Sequence, residues 1–375
     1  MVSRGIVTLT LECPNACIFC AQRGLAPRPE RSLEDVRAAL RALRSEQQSV
    51  VLAGGEPGLL EALEEHVRAA REEGFLRVGV QTNGAGLVDV ERLRGLANAG
   101  LTDVHLSVHG AVAAVHDHHT GAPLSFERAL AALAAARAAG LSVAVSTVLT
   151  RSNFRVLDGL ATLLVARGAS AWCVSVPVVA GRAHESFDRV VPRLGLALPF
   201  ALRALVAARA RGLAAFISGA PLCLLGPHGG MSVVGAESRA YGAPCVECPA
   251  RAACPGVDAT YLERFDGDEL APRGTLVSPL ADESARQQAA MFVGAGERAP
   301  LQVRVAASSP AKARRALPTL GRGQPAAAEV GRGERRTGEA MRALFPTLFA
   351  DREPPAADLT SGQAPTDDGE REPKD

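Results

Sequence analysis

The chain has 375 residues with a formal net charge of +1, and 47% of its residues are hydrophobic while 22% are charged. This composition is typical of a globular protein with one large domain and a smaller module. The near-neutral charge gives no long-range field that would attract nucleic acid or an anionic membrane, so neither is expected as a partner. No uncharged apolar run reaches the roughly 18–20 residues of a membrane span.

Short apolar strands alternate with amphipathic helices over the first two thirds of the chain. Six strands are predicted, at Ile6–Leu11, Ser49–Ala53, Val78–Thr82, Val104–Val108, Ser142–Leu149 and Ala171–Val176. Helices are predicted after them, at Leu33–Leu43, Leu59–Glu73, Val90–Ala99, Phe126–Ala139, Phe154–Arg167 and Pro199–Arg211. Repeated βα units indicate a parallel sheet with right-handed crossovers, either a partial barrel or a doubly wound sheet.

The last third of the chain has a different character. After about Pro221 cysteines, glycines and prolines crowd together, and from roughly Ser308 the composition favours disorder. Within that tail Glu339–Ala350 is either a short docking motif or a weakly ordered patch. The predicted domains are therefore a core over 1–215, a cysteine-rich module over 216–300 and a mostly disordered tail over 301–375.

The N-terminus is not expected to be a secretory signal, because it reaches Glu12 and Cys13 without a long apolar stretch. A cytoplasmic location is therefore expected, where thiols remain reduced. Seven of the eight cysteines nevertheless fall into two clusters at short spacing, which favours metal or iron–sulfur ligation over disulfides. The remaining one, Cys173, lies within a predicted strand and is expected to be a buried core thiol.

The first cluster is Cys13, Cys17 and Cys20, with the spacing CxxxCxxC directly after the first strand. Three thiolates can bind three irons of a cubane and leave the fourth iron open, as a catalytic metal site requires. A structural zinc loop is the alternative, but it would need a fourth ligand and none lies in the loop.

Further motifs follow the later strands. Gly54-Gly55-Glu56-Pro57 follows the second strand, Thr82-Asn83-Gly84 ends the third, and Ser107 and His109 close the fourth. Thr150-Arg151-Ser152-Asn153 follows the fifth. In a parallel α/β architecture these positions share one edge, where active sites are built.

Together with CxxxCxxC, these motifs make Val2–Pro177 resemble the radical S-adenosylmethionine (SAM) superfamily. The resemblance implies an α/β fold, a partial (β/α)6 TIM-like barrel, with a 4Fe–4S cluster on the first three cysteines. It implies that ten residues bind SAM: Gly54, Gly55, Glu56, Pro57, Thr82, Asn83, Ser107, His109, Arg151 and Asn153. Glu56 is expected at the ammonium group of SAM, since a carboxylate suits that partner.

The resemblance also implies a mechanism. An electron from an external donor of the flavodoxin or ferredoxin type reaches the cluster, and SAM is cleaved to methionine and a 5′-deoxyadenosyl radical that abstracts a substrate hydrogen. The resemblance assigns no catalytic side chain beyond the cofactor-binding set.

Five histidines lie in one strand and the loop after it, in HLSVHGAVAAVHDHHTGAP. A separate metal site is one interpretation. The other is that His116, Asp117, Thr120 and Gly121 match a loop, H-D-x-x-T-G, that is common among radical SAM enzymes. His105 is expected to be packed inside its strand.

The second cluster comprises Cys223, Cys245, Cys248 and Cys254, with the pattern C…CxxCxxxxxC. Four thiolates suit either a fully ligated 4Fe–4S cluster or tetrahedral zinc. The pattern resembles the SPASM and Twitch modules of radical SAM enzymes and implies one auxiliary 4Fe–4S cluster. Asp258 stands where a full SPASM module has a further cysteine, and is a possible extra ligand. Arg182, in a loop common to such members, is a further candidate for contacting SAM or substrate.

Three functions remain open on this evidence. The first is radical chemistry on a peptide, which the auxiliary cluster supports, because such clusters are frequent among the peptide-modifying members of the superfamily. The predicted barrel starts close to Met1, so peptide recognition would come from a separate protein or the tail. The second is the same chemistry on a small molecule, and the third is a non-catalytic protein with two structural zinc sites, which leaves the motifs at the strand ends unexplained.

Overall fold

The computed structural model describes residues 4–22, 30–233, 240–272, 288–289, 291–292 and 294–296. The predicted tail at 301–375, including Glu339–Ala350, lies outside these residues.

Nine parallel strands form one sheet in the described part of the chain. They are β1 (Arg4–Thr8), β2 (Ser49–Ala53), β3 (Arg77–Thr82), β4 (Asp103–Ser107), β5 (Ser142–Val148), β6 (Ala171–Ser175), β7 (Ala214–Ser218), β8 (Ser232–Val233) and β9 (Gly294–Gly296). The helices described there are α1 (Leu33–Arg44), α2 (Leu63–Glu72), α3 (Val90–Ala99), α4 (Ala113–Thr120), α5 (Ser125–Ala138), α6 (Leu157–Ala166), α7 (Arg182–Glu185), α8 (Phe187–Val190), α9 (Leu194–Ala210) and α10 (Ala259–Phe265).

The strand order selects the partial barrel over the doubly wound sheet. From β8 to β1 each strand pairs with its neighbour in sequence, and β9 is added beside β1. A doubly wound sheet reverses direction at a switch point and places helices on both faces. With right-handed crossovers, a sequential order places every helix on one face, as in a TIM-like barrel.

The two faces of the sheet differ accordingly. On β4, Val104 and Leu106 join the main hydrophobic core with the helices, whereas Asp103 and His105 alternate with them and face the opposite side. A second, smaller apolar cluster on β5 to β8 includes Cys173 and Phe216. Cys173 is 2% exposed, so the prediction of a buried thiol is confirmed.

One aromatic ring shows how strongly the sheet curls. The Phe292 ring lies 6.2 Å from the His105 ring on β4 and 5.9 Å from the Phe216 ring on β7. Three strand spacings separate β4 from β7, which is about 14 Å in a flat sheet. A single side chain reaches both because the sheet bends around it, and Phe292 therefore fills the concave side.

The helices show the main differences from the predictions. The histidine-rich segment, expected as a loop, contains α4, and its C-cap is the left-handed Gly121. Helix α9 begins five residues before Pro199 and keeps this proline inside its second turn. The sheet also extends through β7, β8 and β9 beyond the six strands that the periodicity indicated.

The cysteine-rich segment packs on the start of α9 through polar contacts. The hydroxyl of Tyr261, on α10, accepts a hydrogen bond from the backbone N–H of Leu194 at 2.7 Å and donates to Glu269. Glu269 accepts a further bond from the N–H of Gly195 at 3.0 Å. Two N–H groups that the first turn of a helix leaves unpaired are thereby satisfied. Among the described residues, none of the helices combines the length and apolarity needed to cross a bilayer.

Candidate active site

The loop with the first three cysteines leaves β1 and is held by two other elements. The backbone N–H groups of Ala16 and Ile18 donate to the carbonyls of Thr120 and His119, at 2.8 and 2.9 Å. Arg182, at the start of α7, donates its N–H to the carbonyl of Cys20 at 3.0 Å, and its guanidinium donates to the carbonyl of Ala16. The spacing between the cysteines is therefore fixed from outside the loop.

The double glycine after β2 brings its backbone against the same loop. A Cβ on Gly54 would lie 2.4 Å from the carbonyl oxygen of Thr10, and one on Gly55 would lie 2.1 Å from that of Glu12. Both glycines have positive φ, 93° and 31°. The N–H of Glu56 then donates to the carbonyl of Glu12 at 2.7 Å. Only glycine permits this approach.

The carboxylate of Glu56 joins the glycine loop to the end of β3. It is 1% exposed and accepts hydrogen bonds from the N–H of Gly58 at 2.8 Å, from the N–H of Asn83 at 2.6 Å and from the hydroxyl of Thr82. Burial raises the pKa of Glu56 to about 7, against the lowering effect of these three donors. The contact predicted with the SAM ammonium stays a prediction. Within the protein, the side chain of Glu56 holds the glycine loop against the end of β3.

Asn83 connects the end of β3 to the cysteine loop. Its Oδ1 accepts from the N–H of Ala85 at 2.9 Å, and its Nδ2 donates to Sγ of Cys13 at 3.4 Å. Residues from the ends of β1, β2 and β3 thus form one hydrogen-bonded group around Cys13.

His109 and Asn153, both predicted to contact SAM, are buried beside the cysteine loop. The Nδ1 atom of His109 accepts from the N–H of Val148 at 3.3 Å, and its ring meets the edge of Phe19 at 4.7 Å. Asn153 donates to the carbonyls of His109 and Val148 at 3.1 and 2.9 Å, and accepts from the N–H of Thr150 at 2.8 Å. Asn153 therefore ties the ends of β4 and β5 together.

Ser107 and Arg151 lie at the same edge but outside this network. Ser107 is the half-buried last residue of β4. Arg151 is exposed, and its guanidinium donates to the carbonyl of Asp188. Their predicted contacts with SAM stay predictions.

The first three thiols influence one another electrostatically. Burial raises the pKa of Cys13, and burial together with the neighbouring thiolates raises that of Cys17 to about 12. Three thiolates in one loop repel each other, and a bound cationic iron cluster removes that cost. The side-chain amide of Asn15 is also buried beside them with no partner for either polar atom among the described residues. Donor type, mutual repulsion and this unpaired amide all fit a cluster at this loop.

The second set of cysteines lines one cavity. Cys223, Cys245, Cys248 and Cys254 surround it together with Tyr241, Arg251 and other residues. Sγ of Cys254 accepts from the N–H groups of Leu222 and Gly256, each at 3.4 Å. Four thiols around one cavity, with N–H groups directed at a sulfur, are the donor type that an iron–sulfur cluster requires.

Asp258 and the histidine-rich segment were the two further candidates for metal ligation. Asp258 caps α10 by accepting from the N–H of Thr260 at 2.8 Å, so its carboxylate already has a structural task. Within the described residues no set of three or more His, Cys, Asp and Glu side chains is positioned to hold a single metal ion. All five histidines of the histidine-rich segment belong to these described residues, so the geometry gives no support to a separate metal site there.

Three features of the site were not anticipated from the sequence. Helix α4 supports the cysteine loop through its last carbonyls, Arg182 contacts that loop directly rather than only a ligand, and Asn83 reaches Cys13. The histidine motif H-D-x-x-T-G was the available signal for the first. The others join residues 166 and 70 positions apart, and nothing local in the sequence indicates them.

Comparison with known proteins shows which family the N-terminal part of the chain matches. Residues 7–157 match the radical SAM superfamily. The chain is 32% identical over 189 residues to an AdoMet-dependent heme synthase of Methanosarcina barkeri, covering 49% of this chain and 53% of that protein. It is 34% identical over 169 residues to a PqqA peptide cyclase of Methylocella silvestris, covering 44% of each. The chain spans about half the length of the curated relatives it matches.

Two solved structures share the fold. Streptococcus suis SuiB bound to S-adenosylmethionine has 15% identity and a TM-score of 0.50, over 60% of this chain and 52% of that one. The FeFe-hydrogenase maturase HydG of Carboxydothermus hydrogenoformans has 17% identity and a TM-score of 0.50, over 64% and 59%. At such identities the likeness extends to the fold alone, and it confirms the TIM-like barrel.

Proposed function

The chain carries a radical SAM domain over residues 7–157, and on this premise we propose that it is a radical SAM enzyme that modifies a peptide. The observation that carries the proposal is the meeting of three motifs in one hydrogen-bonded group. The side-chain amide of Asn83 donates to Sγ of Cys13 at 3.4 Å, and the backbone N–H of Glu56 donates to the carbonyl of Glu12 at 2.7 Å. The loops after β1, β2 and β3 therefore form a single site.

In this proposal Cys13, Cys17 and Cys20 hold three irons of a 4Fe–4S cluster, and the fourth iron is left for SAM. When bound, cluster and SAM together supply a 5′-deoxyadenosyl radical by reductive cleavage of SAM. The protein fixes the cysteine spacing through α4 and Arg182, and Phe19 with the buried His109 helps to exclude water from that side of the loop.

The other predicted residues keep proposed roles at SAM. The backbone of Gly54 and Gly55 lies close enough to the cysteine loop to meet a ligand on the cluster. Ser107 ends β4 and Arg151 follows the end of β5, and both are proposed to contact SAM when it is bound.

The second cysteine set is proposed to hold an auxiliary 4Fe–4S cluster on Cys223, Cys245, Cys248 and Cys254. An external donor of the flavodoxin or ferredoxin type would supply electrons, and the protein would work in the cytoplasm. Zinc at this cavity is the alternative, and metal analysis distinguishes the two.

Two kinds of relative suggest two substrate classes. A PqqA peptide cyclase, by its name, acts on a peptide, and the proposal takes the same substrate class for this chain. The heme synthases support a second candidate, a small molecule of the tetrapyrrole class.

The decisive experiment is anaerobic reconstitution of three full-length proteins. These are the wild type, a Cys13/Cys17/Cys20→Ala triple variant and a Cys173→Ala control, which removes a buried thiol outside both sets. We expect about eight irons per chain in wild type and control and about four in the triple variant. 5′-Deoxyadenosine should form from SAM under strong reductant in all but the triple variant. Zinc without iron, or deoxyadenosine from the triple variant, would contradict the proposal.

A substrate test follows from the same preparations. Reconstituted wild type is incubated with SAM, reductant and either a short peptide encoded beside it or a tetrapyrrole precursor. A mass change in the peptide that depends on Cys13, Cys17 and Cys20 supports the peptide proposal. Conversion of the tetrapyrrole alone favours the second candidate.

A further inference from the structure

Asn83 is held in one orientation by the residues around it. Its backbone N–H donates to Oε2 of Glu56 at 2.6 Å, and its Oδ1 accepts from the N–H of Ala85 at 2.9 Å. A flipped amide would place the NH₂ group against the N–H of Ala85, two donors facing each other. The amide nitrogen is therefore the atom that faces the cysteine loop.

That nitrogen has a sulfur as its partner. Nδ2 of Asn83 lies 3.4 Å from Sγ of Cys13. Within the described residues, Cys13 is the member of the first cysteine set whose sulfur accepts a hydrogen bond from another side chain. The sequence motif had suggested SAM as the partner of this amide, but both of its polar atoms already have partners in the protein.

We infer that Asn83 is a positioning residue that sets the reduction potential of the first cluster through its hydrogen bond to Cys13. The inference rests on the proposed function, because it requires a cluster on this loop. One-electron reduction by the external donor adds negative charge to the cluster and its thiolates. An N–H donor stabilises the more negative state, so Asn83 makes the cluster easier to reduce.

The position of Glu56 gives this role a physical basis. Its buried carboxylate fixes the backbone of Asn83, and the turn to Ala85 fixes the side chain, so the donor is oriented before any cluster binds. A preorganised donor loses little conformational entropy when its acceptor becomes charged. The GGEP and TNG motifs therefore act on the cluster as well as on any ligand bound to it.

The test is an EPR-monitored redox titration of the reconstituted full-length protein without SAM. Adding SAM afterwards identifies the first cluster, since only the cluster with an open iron should change its signal. Asn83→Ser keeps an oxygen for the N–H of Ala85 but cannot reach the sulfur. We expect its reduction equilibrium to be about tenfold less favourable, which corresponds to a midpoint potential about 59 mV more negative. Asn83→Asp keeps the size and places a carboxylate against the sulfur, so its shift should be larger in the same direction.

Gln22→Ala is the matched control. Gln22 is a neutral amide at the same loop, but its Oε1 accepts from the N–H of Gly55 at 3.3 Å, and among the described residues it makes no hydrogen bond to a cysteine sulfur. Its removal should leave the potential unchanged. Wild-type potentials in both Asn83 variants would overturn the inference while leaving the proposed function intact. Absence of any iron–sulfur signal in the wild type would overturn the proposed function itself.

Discussion

Burial keeps the histidines beside the cysteine loop neutral, and their hydrogen bonds fix which ring nitrogen carries the proton. His119 lies with Nδ1 2.6 Å from the carbonyl of Val115, so this nitrogen carries the proton, and Nε2 accepts from the hydroxyl of Thr150 at 2.6 Å. Nδ1 of His116 accepts from the N–H of His109 at 3.2 Å. Burial lowers the pKa of all three rings. Protonation of any of these rings would bury a positive charge among the residues that hold the cysteine loop in place.

Acid should therefore destabilise the protein through these residues. Burial lowers the pKa of His116 to about 4, against a usual value of 6.5. The unfolded chain takes up a proton between these values and the folded chain does not, so stability falls as the pH drops from 6.5 to 4. His116→Gln keeps an acceptor without titrating. We expect its loss of unfolding free energy between pH 7 and pH 5, measured by urea denaturation, to be about 2 kcal/mol smaller than in wild type. Equal losses in both proteins would contradict the assignment.

Single residues differ in how far the sequence predicts them. The cysteines and Gly54-Gly55-Glu56-Pro57 were identifiable because their spacing and position after a strand are local properties. The contact of Asn83 with Cys13 spans 70 positions and depends on how two strand ends meet. Glu56 was expected to bind an ammonium group, and only the fold shows three donors from the protein around its carboxylate.

At the scale of elements, α4 and the cysteine loop behave as one unit. The last two carbonyls of α4 accept the N–H groups of Ile18 and Ala16, and Gly121 then turns the chain away with φ of 62°. A Cβ on Gly121 would lie 2.9 Å from the carbonyl oxygen of Ala16. The loop can therefore keep its place only while this position has no side chain.

Gly121→Ala should reduce iron binding at the first cluster. The new methyl group would push Ala16 away from α4 and disturb the spacing between Cys13 and Cys17. We expect iron and sulfide per chain to fall after reconstitution, by up to about four irons, while the auxiliary cluster stays. Gly140→Ala is the control, because Gly140 has a similar φ of 79° but no atom within 4 Å of its Cβ position. An equal loss of iron in the two variants would show that backbone strain, not contact with the loop, decides the outcome, and wild-type iron in Gly121→Ala would contradict the prediction.

The sequence predicted strands better than it predicted this helix. Residues of β2 and α3 matched their predicted limits because apolar periodicity and a C-terminal glycine are strong local signals. Helix α4 is eight residues long, rich in histidine, and has no side-chain cap at its start. Its stability comes from packing against the cysteine loop and α5, which no local pattern reports.

At the scale of the whole molecule, the cysteine-rich segment and the barrel meet through a buried tyrosine. Tyr261 is 1% exposed, accepts from the N–H of Leu194 at 2.7 Å and donates to Glu269. Burial and the nearby carboxylate raise the pKa of Tyr261, which keeps its proton on the hydroxyl that Glu269 accepts. The Tyr261 hydroxyl is therefore one of the links between the cysteine-rich segment and the start of α9, beside the bonds of Gly195 to Glu269 and of Arg193 to Asp268.

Tyr261→Phe should loosen this attachment without emptying the core, because the ring that packs on Phe265 is kept. The variant leaves the N–H of Leu194 and the carboxylate of Glu269 without their buried partner, which typically costs about 1–3 kcal/mol. We expect lower unfolding free energy and faster hydrogen exchange at the start of α9 and in Ala259–Phe265.

Tyr241→Phe separates this effect from a general weakening of the module. The Tyr241 hydroxyl donates to the carbonyl of Cys254 at 3.0 Å, so its bond lies within the cysteine-rich segment and does not reach α9. Hydrogen exchange at the start of α9 should then remain as in wild type. If both variants accelerate exchange there equally, the hydroxyl of Tyr261 is not the specific link, and the remaining contacts at the start of α9, such as that of Arg193 with Asp268, hold the segment against the barrel.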